Sequence, residues 1–303
     1  MIKKTLPVFL LFFCILSPRL FSLDLELIGG LGNLAFDHDR TSSLGAEDKN
    51  FEANWFPLAF ARLSGELNGL DCSIGFERED LLRNRLFANV RASFNYFFLE
   101  AGPVLGLFNS SALPINPGVS AGLGFVIPGI VFAEASGSST IGILMDMENN
   151  YIQRTGNISA GFWVPHVVCS LNMNLRYFTQ RETADILTED KSGRYFFRAD
   201  VYTKNVPFGI RVDLGYQNLS RSYSTRHIED TGSEIVIVKD SETDVLKSIF
   251  MGLELTYTLN ESVKILLGGE MPVYSWTGGP MKDPSKSAFL FEARAGVIWT
   301  IIK

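Results

Sequence analysis

The sequence predicts an all-β protein: a single antiparallel up-and-down transmembrane β-barrel of about 14 strands, with 12 strands as an alternative. The first observation is the alternation at 167–179, where Leu171 and Met173 are apolar while Asn172 and Asn174 are polar. A period of two gives a strand one apolar face and one polar face. The second is that similar segments of about ten residues recur along the chain, as tilted membrane strands require. The third is that short turns alternate with longer polar connections.

Fourteen segments satisfy the strand pattern. They are 23–36, 53–67, 70–78, 85–95, 97–109, 118–127, 130–145, 155–164, 167–180, 194–204, 208–220, 248–259, 263–274 and 288–302. Short connections such as Asn68-Gly69 and Pro128-Gly129 carry residues that favour tight turns. The intervening connections, including 181–193 and 221–247, are longer and polar. The 85–109 region has the weakest turn signal, so a barrel of 12 strands is the alternative prediction.

The N-terminus predicts a cleaved signal peptide over residues 1–22. Lys3 and Lys4 precede an apolar run from Leu6 to Leu16, and the small residue Ser22 suits the last position before cleavage. This run is shorter than the roughly 20 residues that a membrane-spanning helix needs. Residues 23–303 are then expected to form the barrel as a single domain.

The composition excludes some classes of partner and leaves others open. Hydrophobic residues make up 46% of the chain and aromatic residues 12%, enough for a large apolar surface. The chain has 33 acidic against 27 basic residues, and three of the basic ones lie in the predicted leader. An acidic mature protein is a poor match for nucleic acid, so no nucleic-acid partner is expected.

The width of the barrel decides which face meets lipid. Twelve to fourteen strands enclose more volume than these side chains fill, so the apolar face is predicted to contact lipid and the polar face to line the lumen. The predicted lumen residues are Arg91, Glu100, Arg176, Arg198, Asp200, Arg211, Asp213, Glu254, Lys264, Glu270, Glu292 and Arg294. These charges predict either a water-filled pore whose opposed charges set its selectivity or an interior closed by ion pairs.

Two further hypotheses concern the connections. Residues 221–247 form either a hairpin that extends the flanking strands or an inward-folded lid, in which His227 is a candidate for pH-dependent gating. No catalytic residue is predicted, because the three histidines lie in predicted loops and a turn without an evident serine partner. No metal site and no cofactor are predicted either, since the corresponding motifs do not occur.

The last strand carries a further pattern. The segment from Arg294 through Gly296 and Trp299 to Ile301 resembles the C-terminal insertion motif of outer-membrane barrels: polar residue, glycine, aromatic residue and apolar residue at fixed spacing. The resemblance implies that the outer-membrane assembly machinery recognises this segment. Gly296, Trp299 and Ile301 are the residues expected to form the signal.

Over 23–303 the chain resembles bacterial outer-membrane β-barrels of the monomeric 14-strand porin type, similar to OmpG in length and layout. The resemblance implies a monomer in the outer-membrane lipid bilayer, with extracellular loops, that lets small hydrophilic solutes diffuse passively through a charged lumen. An alternative is a non-conducting structural or adhesin-type barrel whose loops bind a host or partner ligand. A transporter of hydrophobic substrates, like the FadL-type channels, fits less well, because strand-like alternation begins at the predicted cleavage site where those channels have a plug segment.

Overall fold

The chain folds into a closed antiparallel β-barrel of 14 strands, in which every strand pairs with its neighbours in sequence and β1 pairs with β14. The computed structural model describes residues 20–32, 55–79, 81–108, 115–141, 150–181, 186–202, 206–230, 235–278 and 291–302. No helix long and apolar enough to cross a membrane occurs within these ranges. The predicted fold class is confirmed, and the 12-strand alternative is wrong.

Within the described ranges, the strands follow one another in chain order with no other element between them. Their bounds are β1 Leu20–Gly32, β2 Phe56–Leu67, β3 Leu70–Glu79, β4 Arg83–Phe94, β5 Phe97–Leu107, β6 Ile115–Ile127, β7 Val131–Thr140, β8 Asn150–Val164, β9 Val167–Arg181, β10 Ile186–Tyr202, β11 Phe208–Asp230, β12 Ile235–Asn260, β13 Val263–Gly278 and β14 Glu292–Ile302. β1 begins at Leu20, so the predicted cleavage point after Ser22 falls within this strand.

Tight turns join the strands at one end of the barrel, which we call the turn end; the opposite end is the loop end. Asn68 and Gly69 between β2 and β3 have φ of 53° and 81°, as a two-residue type I′ hairpin requires. Asn95 has φ of 54° in the turn between β4 and β5. This turn lies in the region where the sequence signal was weakest, and asparagine adopts the left-handed conformation more readily than most residues.

Strands β10, β11 and β12 extend well beyond the predicted segments. The segment 221–247, predicted as a connection, belongs mostly to a hairpin in which β11 and β12 pair as far as Asp230 and Ile235. The hairpin alternative is therefore confirmed, and the inward lid is wrong for the described part. His227 lies in a paired strand, β11, opposite Val238; its role in gating stays a prediction. Backbone pairing continues here because each added pair satisfies two otherwise free polar groups.

The two faces of the sheet differ sharply in character. Apolar side chains on the outer face are open to their surroundings, with Leu171 68%, Leu214 54% and Leu267 61% exposed. On the inner face, Asp213 is 6% exposed and Phe250 is fully buried. An apolar outside and a charged inside reverse the order found in water-soluble barrels and suit a lipid surrounding.

The pairing of β1 with β14 closes the barrel, and we call it the seam. Its close backbone packing predicts the effect of a side chain at Gly296. A Cβ added at Gly296 would lie 2.6 Å from the carbonyl oxygen of Leu27, whereas a Cβ at Gly29 would meet nothing within 4 Å. Gly296→Ala is expected to lower the free energy of unfolding by about 1–3 kcal/mol, because the paired backbone must shift. Gly29→Ala is the matched control and should leave stability unchanged or raise it by up to about 1 kcal/mol.

The measurement is urea unfolding of the refolded barrel in detergent micelles, followed by tryptophan fluorescence. Equal midpoints for the two variants would show that the seam tolerates a side chain at Gly296.

Candidate functional site

A chain of ion pairs crosses the inner faces of β10 to β14. Arg211 on β11 donates to Asp200 on β10 at 2.6 Å and to Glu254 on β12 at 2.7 Å. The second carboxylate oxygen of Glu254 accepts from Arg294 on β14 at 2.8 Å. Asp200, Arg211 and Glu254 lie on neighbouring strands in closely matched register. Arg294 reaches Glu254 across β13, where Gly268 lies between them in the register. Glu254, only 4% exposed, is thereby neutralised by two arginines.

A second group of charges lies further toward the loop end of the same wall. Arg198 on β10 makes a bidentate contact with Asp213 on β11, with both N···O distances at 2.8 Å. Arg194 on β10 reaches past two strands to Glu270 on β13. Glu270 lies opposite Glu292 in the β13–β14 register. Because an arginine that crosses two strands must project over the lumen, this wall narrows the interior.

The facing wall carries its own pairs. Arg91 on β4 binds Glu100 on β5 at 2.8 Å, and Arg85 donates to Glu77 on β3 through Nε at 2.6 Å. One pair joins the two walls: Arg176 Nε on β9 lies 3.2 Å from a carboxylate oxygen of Glu79 on β3. The pair links strands that are six positions apart in the barrel order, so it spans the lumen.

An apolar cluster fills part of the lumen at the loop end. Leu82, in the connection between β3 and β4, packs with Tyr151 of β8 and Phe178 of β9, and these side chains are at most 1% exposed. Phe108 contacts both rings edge-on, with centroid distances of 5.4 and 5.5 Å. The side-chain amide of Gln153 donates to the carbonyl of Leu82. We call Leu82, Phe108, Tyr151 and Phe178 the constriction cluster.

Burial changes steadily along the β10–β11 hairpin. Nearest the loop end, the bidentate pair of Arg221 and Asp190 has side-chain exposures of only 4% and 2%. At the turn end, Arg211 and Asp200 are 34% and 32% exposed. On this hairpin, water therefore reaches the inner wall from the turn end, while the loop end is packed.

The predicted lumen residues occupy the inner face, as their partners show. Ten of the twelve make the ion pairs described above: Arg91, Glu100, Arg176, Arg198, Asp200, Arg211, Asp213, Glu254, Glu270 and Arg294. Within the described part of the chain, Lys264 and Glu292 have no ion pair, and Lys264 is exposed. The role of these residues in selectivity stays a prediction.

Sequence reasoning missed the buried Arg221–Asp190 pair and the constriction cluster. Asp190 and Arg221 fell in segments assigned to connections, and the alternation of β10 and β11 continues through both positions. That continued alternation is the signal that could have revealed the pair. Leu82 offered no such signal, because nothing local shows that a loop residue turns into the lumen.

The remaining predicted positions can be placed as well. Gly296, Trp299 and Ile301 all lie on β14, where Trp299 and Ile301 are 47% and 41% exposed; their role in assembly stays a prediction. Cys72 and Cys169 are free thiols. Among the residues that the structure describes, no group of three His, Cys, Asp or Glu side chains is arranged to hold a metal ion.

The bidentate pair of Arg198 and Asp213 should contribute measurably to stability. Asp213→Asn removes the negative charge and leaves the guanidinium without its counter-ion, so the free energy of unfolding should fall by about 2–3 kcal/mol. Arg62 is the control, because its ion pair with Glu26 is 47% exposed on the arginine side. Arg62→Gln should change stability by less than about 1 kcal/mol.

Chemical denaturation of both refolded variants tests this expectation. A loss for Asp213→Asn no larger than the loss for Arg62→Gln would contradict a structural role for the inner pair.

Comparison with known proteins gives similarity at the level of the barrel. No protein-family model matches the sequence, and a comparison with curated proteins finds no match. Among solved structures, a bacterial polysaccharide outer membrane secretin is 9% identical, with 92% of this chain and 98% of that chain covered and a TM-score of 0.49. An outer membrane channel from Pseudomonas putida is 8% identical, with 94% and 97% covered and a TM-score of 0.44. A BenF-like porin from Pseudomonas fluorescens is 8% identical, with 94% and 99% covered and a TM-score of 0.37.

Proposed function

We propose that this protein is an outer-membrane channel through which small hydrophilic solutes diffuse passively. The observation that carries the proposal is a charged inner wall, reached by water from the turn end, inside a closed barrel whose outer face is apolar. In the core of a water-soluble barrel, burial of so many charges would cost free energy. A charged wall of both signs is the lining expected of a hydrophilic pathway.

The outer face supports the membrane location. Strands β2 to β7 are 10 to 13 residues long, close to the 9–11 residues with which a tilted strand crosses a bilayer. Backbone polar groups in lipid must be satisfied within the protein, and a closed barrel does this without a free edge. We expect the protein to be a monomer that the outer-membrane assembly machinery inserts through its C-terminal strand, with the loop end outside the cell.

Selectivity would arise from the paired charges. Carboxylates and guanidiniums that face one another across a narrow lumen create a field transverse to the path. Solutes with dipoles or small charges then pass by exchanging water contacts for contacts with the partly exposed side chains of Asp200, Arg211 and Arg294. The field depends on the balance between the two signs, so removal of one partner changes the preferred ion.

The constriction cluster would set the size limit. It combines side chains from β8 and β9 with a residue of the β3–β4 connection, so it narrows the lumen from two sides. We propose that solutes larger than small ions and simple metabolites are held back there.

Conductance is the direct test of the channel. The refolded mature protein, residues 23–303, should give discrete current steps in a planar bilayer, and Leu82→Ala should enlarge them by removing bulk from the lumen. Leu171→Ala is the matched control, since Leu171 lies on the outer face and is 68% exposed. Silence from wild type and Leu82→Ala, both shown to be folded and inserted, would refute the channel.

Ion preference gives a second, signed test. Glu254→Gln removes the carboxylate that neutralises two arginines, so the reversal potential in a salt gradient should shift toward anion preference. Arg194→Gln leaves Glu270 and Glu292 without that arginine and should shift it toward cation preference. Shifts of the same sign in both variants would exclude the inner charges as the filter.

A non-conducting barrel that binds a ligand outside the cell is the second candidate. The β11–β12 hairpin favours it, because these strands have 23 and 26 residues, roughly a dozen more than a membrane crossing needs. The projecting hairpin offers a paired, extended surface for a partner. Folded protein that stays silent in the bilayer experiment would move the assignment to this candidate.

A further inference from the structure

An unusual row of side chains lies on the outer face of β8, β9 and β10 near the loop end. Arg154, Tyr177 and Lys191 are direct cross-strand neighbours in the registers of these strands. Arg154 lies over the Tyr177 ring at 5.5 Å from the centroid, and the Lys191 ammonium lies over the same ring at 5.1 Å. Two cations thus lie over one aromatic ring on the outer face.

One carboxylate accompanies this row. Glu189 accepts a hydrogen bond from the Tyr177 hydroxyl and lies 3.0 Å from Lys191 Nζ. Arg154 is exposed, and within the described residues no carboxylate lies within ion-pairing distance of it. Arg154, Lys191 and Glu189 together therefore keep a net positive charge, and the Arg154 guanidinium can bind an anion.

The next outward-facing row toward the turn end consists of Gly156, Leu175 and Gly193. Neither glycine is required by the backbone. A Cβ at Gly156 would meet only the Leu175 side chain at 3.6 Å, and one at Gly193 would meet Tyr195 and Leu175 side chains at 3.4 Å or more. Glycine weakens a strand interior, so these two glycines, which the fold does not need, keep the row below the cations low. The Leu175 and Tyr195 side chains cover it in ordinary van der Waals contact.

An apolar groove of about 430 Å³ lies on the same outer surface, next to the glycine row on the turn-end side. Its lining includes Ile158, Ala160, Leu171, Met173, Phe197 and Leu214. These residues occupy the two outward-facing rows that follow the glycine row on β8 to β11. The row of Arg154 and Lys191, the row of Gly156 and Gly193, and the apolar groove therefore follow one another along the strands.

The height of the cationic row matches the edge of a bilayer. Arg154 lies ten residues from Val164, the last residue of β8 at the turn end. At about 3.3 Å per residue and a tilt of about 40°, ten residues rise roughly 25 Å along the barrel axis, the height of the apolar band of an outer-membrane barrel. Arg154 and Lys191 then lie at headgroup level, while the groove lies among the acyl chains.

We propose that this outer surface, formed by Arg154, Gly156, Tyr177, Lys191 and Gly193 with the groove below them, is a binding site for an anionic membrane phospholipid. The headgroup phosphate accepts hydrogen bonds from Arg154 and Lys191, and one acyl chain passes over the two glycines into the groove. Charge complementarity selects the anionic headgroup, and the groove selects a ligand that carries an acyl chain. The site faces lipid, so it is independent of the proposed channel.

The test is native mass spectrometry of the full mature chain in detergent with an equimolar mixture of phosphatidylglycerol and phosphatidylcholine of identical acyl chains. Wild type should retain phosphatidylglycerol in preference. Arg154→Gln with Lys191→Gln should reduce that preference about tenfold, because two charge-assisted hydrogen bonds are lost. Gly156→Leu with Gly193→Leu should lower retention of both lipids, since the path to the groove is filled.

Arg78→Gln is the matched control, because Arg78 is another exposed cation near the loop end, on β3. It should retain the wild-type preference. Equal retention of the two lipids by wild type would overturn the proposal, as would a loss in Arg78→Gln equal to that in the double variant. Displacement of the lipid by inorganic phosphate, together with full retention after the glycines are filled, would reduce the site to a simple anion site and also overturn it.

Folding of each variant is checked by the shift in gel mobility between unheated and heated samples. The comparison of the two lipids on wild type needs no variant, so it decides the headgroup preference by itself.

Discussion

The structure depends on the closure of one sheet by pairing between β1 and β14. With that seam formed, each of the 14 strands has two hydrogen-bonded neighbours, and no strand edge faces lipid. A bilayer offers no water to satisfy an open edge, so a sheet in lipid must close on itself. Gly296 lies on this seam, where a side chain would collide with the carbonyl of Leu27. The requirement for close backbone approach explains the glycine at this position of β14.

Closure also creates the interior, and the interior is held by charges rather than by an apolar core. Arg211, Glu254 and Arg294 form a continuous set of contacts from β11 to β14, while the pair of Arg176 and Glu79 joins opposite walls. The contacts of Arg211 and Arg294 offset the penalty of enclosing Glu254, because each arginine donates a hydrogen bond to one of its two carboxylate oxygens. The pair of Arg176 and Glu79 is a charge contact at 3.2 Å. The same pairs bring the walls together and, with the constriction cluster, leave a lumen narrower than the strand number alone allows.

The unusual length of β8 to β12 determines which side chains lie inside the barrel at the loop end and which lie on the outer surface there. Because these strands continue past the apolar belt, their alternation places Asp190 and Arg221 inside, buried against one another, and Arg154 and Lys191 outside at the level of lipid headgroups. A single extension of the sheet thus places a buried ion pair inside the loop end of the barrel and two cations on its outer face. The proposed lipid site and the proposed channel occupy opposite faces of the same strands.

The sequence by itself determined the fold class, the turn positions such as Asn68-Gly69, and which side chains share the inner face. It predicted about 14 strands, and the structure decided between 14 and 12. These features follow from the period of two and from local turn chemistry, both of which are readable without knowledge of distant residues. The tertiary structure decided the rest. Contacts such as Arg176 with Glu79, and the packing of Leu82 against Tyr151 and Phe178, join residues that lie far apart in the chain. They depend on the stagger and tilt with which the sheet closes, and no local pattern encodes that geometry.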